Sequence, residues 1–188
     1  MAEVRAQDAR RSGDEVRVLA TAHHSRSPQI VPWPAGADGG GALVAWLEEG
    51  PAGLESPSTV MFARVDAGGH RVGDAVKLPM PAGSTPTSVS LAPEDGGRNL
   101  ARVLVARSAG GVVSLGALRV GRDGVVVGSP STLLDLEAEP PFEAAGAISG
   151  DAVFFDDVGG NGADHRVRRA SVDWRKAALA ALATVPSP

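Results

Sequence analysis

The sequence predicts an all-β chain, built of short antiparallel strands in units of about four and closed by a short C-terminal helix. Three observations predict this. Residues recur at a spacing of 55: Arg64-Val65 returns as Arg119-Val120, Gly69 as Gly124, Val72-Gly73 as Val127-Gly128, Leu78 as Leu133 and Pro86 as Pro141. A period of this kind belongs to stacked supersecondary units. Glycine and proline supply 24 and 14 of 188 residues, too many for long helices but suited to strands joined by turns. The apolar residues come in short runs bounded by turn residues, which is strand length rather than helix length.

Each unit opens on a proline-marked connector: Ser27-Pro28-Gln29-Ile30, Thr85-Pro86-Thr87-Ser88 and Pro140-Pro141-Phe142-Glu143. Ile30-Val31, Val89 to Leu91 and Ala144 to Ile148 supply a strand there. An apolar strand follows, at Ala42 to Leu47, Ala101 to Ala106 and Ala152 to Phe155. Next come Val60 to Val65, Val112 to Val120 and Val167 to Val172. The first two of these end in Ala67-Gly68-Gly69 and Asp123-Gly124; Asp-Gly marks a hairpin because both central turn residues need positive φ. A fourth strand runs from His70 to Leu78 and from Val125 to Leu133.

The ends read differently. Gly13 to Val18 resembles Gly73 to Leu78, so residues 13–22 are expected to form the outer strand that the third unit lacks. After Val172 no glycine turn follows; Asp173 reads as the N-cap of an Ala-rich helix, Trp174 to Ala183, stopped by Pro186 and Pro188. The expected layout is a disordered segment at 1–12, a repeat domain at 13–174 with units near 27–83, 84–138 and 139–174, and a short helix and tail at 175–188.

Strand character selects the architecture. A sandwich strand with one wet face alternates apolar and polar residues. Ala42 to Leu47, Val103 to Ala106, Val60 to Ala63 and Ala152 to Phe155 are apolar at every position, which requires burial of both faces. A β-propeller blade, packed between two neighbours, provides it. The expected fold is a partial or oligomer-completed β-propeller of four-stranded antiparallel blades. Three blades are too few for a ring, since propellers start at four. The chain is then an excerpt of a longer propeller, an open arc with sticky edges, or half of a homodimer that closes a six-bladed ring head to tail, each copy lending its first strand to the other.

Ala42 to Trp46 and Ala63 to Gly69, with the marker proline before them, resemble bacterial β-propeller repeat proteins. The resemblance covers roughly residues 13 to 174. It implies a binding or scaffolding module, often in secreted or envelope proteins. The Trp-Asp dipeptide of WD repeats is absent, and Ser171-Val172-Asp173-Trp174 matches only a fragment of the sialidase-type Ser-x-Asp-x-Gly-x-Thr-Trp box.

Composition excludes several chemistries. Cysteine is absent, which removes disulfides, thiolate catalysis and Cys-type zinc sites. The net charge is −4 with no dominant basic tract, so there is no electrostatic footprint for nucleic acid. Arg166, Arg168, Arg169, Arg175 and Lys176 read as a solvated strand edge and helix start. The first 25 residues carry charges throughout, unlike a secretory signal, and no apolar stretch reads as a membrane span. Gly-x-Ser-x-Gly and the P-loop pattern are missing.

Two candidate sites stand out. The segment Asp156 to His165 places oxygen side chains on a glycine loop. It reads first as a hairpin loop with an Asn-Gly turn; its candidate Ca²⁺ ligands are Asp157, Asn161 and Asp164, because Ca²⁺ takes six to eight oxygens. Gly159 and Arg168 stand where an EF-type loop needs an oxygen and a Glu. Trp33, between Pro32 and Pro34, is the aromatic expected on the surface, a candidate for stacking on a sugar. No catalytic residue and no organic cofactor is assigned. The expected function is a non-enzymatic scaffold or ligand-binding module for a protein or carbohydrate. The alternatives are a piece of a carbohydrate-active propeller hydrolase and a truncated chain without independent function.

Overall fold

The computed structural model describes residues 23–33, 40–50, 57–94, 100–136, 144–158 and 165–185. They form twelve strands in three four-stranded antiparallel sheets, each a simple meander. The first sheet holds β1 (Ser25–Trp33), β2 (Gly41–Glu48), β3 (Thr59–Val65) and β4 (Arg71–Lys77). The second holds β5 (Thr85–Pro93), β6 (Leu100–Ala109), β7 (Val112–Gly121) and β8 (Val126–Asp135). The third holds β9 (Gly146–Ser149), β10 (Ala152–Val158), β11 (His165–Asp173) and β12 (Ala178–Thr184). The second sheet lies between the others: β5 packs on β1 and β2 on one side and on β9 on the other.

Period-2 alternation explains the wholly apolar run of β6. Ala101, Val103 and Val105 enter the core shared with the first sheet. Leu104 and Ala106 enter the core shared with the third. Strand β7 divides likewise: Leu118 and Val120 face the first sheet, Val113, Leu115 and Ala117 the third. Each fully buried Val or Leu contributes roughly 1.5–3 kcal/mol, so a strand apolar on both faces anchors two cores. On β5 the two faces differ in chemistry. Val89 packs in the core shared with the first sheet, while Ser88 donates to the Ala144 carbonyl at 2.8 Å and Ser90 to that of Gly146.

Register relates the sheets residue by residue. Ala42 pairs with Val65 and Leu43 with Arg64; Ala101 pairs with Val120 and Arg102 with Arg119. Ala152 pairs with Ser171. The end of each fourth strand is tied to the third strand by one backbone bond: Leu78 N–H to the Val60 carbonyl (2.9 Å), Leu136 to Val113 (2.8 Å) and Val185 to Val167 (3.0 Å). Leu136, rather than Leu133, is therefore the structural counterpart of Leu78.

The expected C-terminal helix is a strand. Residues 174–177 form a turn, and β12 then pairs with β11. The physical reason lies in the turn. Asp173 Oδ1 accepts from the N–H groups of Arg175 (3.1 Å) and Lys176 (3.3 Å), as an N-cap would. Ala177 then enters the left-handed region at φ 49°, where Gly69 (83°) and Gly124 (82°) sit in the corresponding hairpins, and the chain reverses instead of winding on. With β12 beside β11, the outer place in the third sheet assigned to residues 13–22 is already filled. Residues 13–22 themselves lie outside the described residues, as does the segment 1–12 expected to be disordered.

Candidate functional site

Trp33 and Asp157, the described members of the two predicted sites, fall on core structure. Trp33 is 6% exposed and belongs to the core between the first and second sheets, so it presents no open ring face for a sugar. Asp157 is fully buried on β10, and its Oδ2 accepts from Arg168 Nη1 at 2.9 Å. Arg168 also lies over the Phe155 ring, 6.0 Å from its centroid. This carboxylate is therefore occupied by a guanidinium. Asn161 and Asp164 lie outside the described residues, among which no group of three or more His, Asp or Glu is placed to hold a metal ion.

Other charged residues hold strands and sheets together. Arg102 interrupts the apolar run of β6 and crosses to the third sheet. Its Nη1 donates to the Gly150 carbonyl at 2.5 Å, its Nη2 lies 3.1 Å from Asp151, and its guanidinium stands 5.6 Å over the Trp174 ring. Arg107 donates to Ser114 at 3.2 Å and to Thr132 at 2.5 Å. Burial pushes its pKa below the ordinary arginine value, and the Asp135 carboxylate works against that shift. Arg26 pairs with Glu49 at 3.4 Å and donates to the Thr87 carbonyl of the second sheet. Arg119 pairs with Glu94 at 3.5 Å.

Arg64 differs from these in having no ion pair among the described residues, although its register counterpart Arg119 has one. Its buried Nε lacks a hydrogen-bond partner, a feature it shares with other arginines of the chain. The reason can be read from the first strands. Pro32 pairs with Ala42 and Pro93 with Ala101, so Trp33 stands where the second sheet has Glu94. The first sheet has thus exchanged the carboxylate for an indole and kept the arginine. Arg64 lines a groove of about 410 Å³ between the β3–β4 hairpin and the β7–β8 hairpin. Phe62, Val72 and Val76 form its apolar wall, Gly124 its far side, and Asp74 and Asp123 its rim. A neighbouring hollow of about 400 Å³, lined by Arg64, Arg122, Val125 and Val127, continues it. Composition did not point to this groove; comparing Arg64 with Arg119 and asking for each one's acid would have.

The outward faces of the end sheets form a second feature. Leu91 and Val103 pack between the first two sheets. Their counterparts in the first sheet, Ile30 and Val44, point away from the second sheet, and Ile30 is 67% exposed. Val113 is buried against the third sheet. Its counterpart in the third sheet by the fourth-strand tie, Val167, is 49% exposed. No helix among the described residues is long and apolar enough to cross a membrane. Comparison with known proteins finds no matching family model, no curated relative and no similar solved structure.

Proposed function

We propose that the chain is a non-catalytic β-propeller-like scaffold, its three sheets serving as consecutive blades with β1, β5 and β9 toward the axis. One observation carries this reading. Register positions packed against a neighbour on each side of the middle sheet, Leu91 and Val113, recur as exposed apolar residues on the two end faces, at Ile30 and at Val167. A blade needs a neighbour on each side, so both faces call for one. A second copy of the chain supplies both neighbours in a single head-to-tail ring of six, within the known blade range. The buried charged pairs support a structural rather than a catalytic role, since they tie strand to strand and sheet to sheet.

The absence of cysteine gives a direct test. Ile30→Cys and Val167→Cys proteins are mixed and treated with a short bismaleimide. The reading predicts a cross-linked heterodimer. Val112→Cys, whose valine is exposed elsewhere on the second sheet, paired with Ile30→Cys predicts none. Equal cross-linking in both mixtures, or none in either, contradicts the ring.

A further inference from the structure

We infer that the groove at Arg64 binds a small apolar carboxylate, its acid group on the guanidinium and its hydrocarbon against Phe62, Val72 and Val76. The inference goes beyond the scaffold reading and uses residues of one chain only. The same arginine position in the second sheet holds a carboxylate, Glu94, at 3.5 Å. In the first sheet that acid is Trp33, and Arg64 makes no ion pair among the described residues. Arg64 lacks the acid that its counterpart Arg119 has, and a carboxylate is the group whose geometry matches a guanidinium. The groove size suits a ligand smaller than most drugs. Asp74 and Asp123 also line it, and their repulsion, which the pairing with Arg64 must offset, grows with each further negative charge on the ligand.

The test titrates N-acetyl-leucine, and its uncharged analogue N-acetyl-leucinamide, into the full chain and follows backbone amide shifts. The expected result is saturable shifts at Val72 and Gly124, with the amide binding at least tenfold more weakly. Arg64→Met keeps the apolar length of the side chain and is expected to weaken acid binding at least tenfold without changing the circular dichroism. Should Arg64→Met fail to fold, Arg64→Lys retains a charge and is expected to keep measurable binding with reduced affinity. Equal affinity for acid and amide, binding unaffected by the substitution, or no shifts at millimolar acid overturns the inference.

Discussion

Arg102 shows what a single charged residue does inside an apolar strand. It satisfies a carbonyl and a carboxylate across two sheets and covers an indole, so losing it removes three contacts at once. Arg102→Ala is expected to lower stability by about 2–4 kcal/mol, read from the urea midpoint at unchanged slope. Asp157→Ala strands Arg168 in the interior and is expected to cost about 3–5 kcal/mol. Added Ca²⁺ should leave the wild-type midpoint unmoved; a calcium ligand at Asp157 would instead raise it by mass action. The turn aspartates titrate in the other direction from a buried acid. The His70 N–H, assisted by that of Gly68, holds Asp66 below the usual carboxylate pKa, and the Lys176 N–H does the same for Asp173. A depressed folded pKa stabilises above the unfolded value of about 3.9 and loses that contribution as pH falls through the folded pKa. Asp66→Asn should therefore flatten part of the stability loss seen below about pH 4. An unchanged acid limb would contradict the turn geometry.

At the scale of elements, strands were legible wherever burial on both faces left an apolar run. Val103 to Ala106 could be read directly, because both of its faces meet a core. The hairpins at Gly69 and Gly124 were legible because glycine advertises the left-handed position. The third hairpin was hidden because Ala177 holds that position, and Ala178 to Ala183 carries helix-favouring residues. Pairing with β11 overrides that local preference. The Arg64 groove was hidden for another reason: it depends on an acid that is missing, and sequence patterns display what is present. Ala181→Val with Ala183→Val tests the element directly. Both alanines are exposed on β12, and β-branched residues favour strand by up to about 1 kcal/mol while disfavouring helix. The double variant is expected to hold or raise the unfolding midpoint. A fall would fit a helix there. Leu104→Ala, between two sheets, is expected to cost about 2–5 kcal/mol.

The whole molecule is a stack with a finished middle and two unfinished ends. Its second sheet is buried on both faces, and its end sheets repeat the same register positions with apolar residues open to solvent. Uncovered sheet faces associate, and a heterologous contact either closes as a ring or runs on as a filament. In the proposed reading, six sheets from two copies close it as one ring. The third sheet carries its own fourth strand, β12, so closure requires face-to-face packing and no exchange of strands between copies. Dilution should then separate folded chains without unfolding any sheet. The first measurement is the solution mass of the purified chain by light scattering on a sizing column. The account predicts a single sharp species at twice the 19.1 kDa chain mass. A sharp monomer, with Ile30 and Val167 remaining open to solvent, would contradict it.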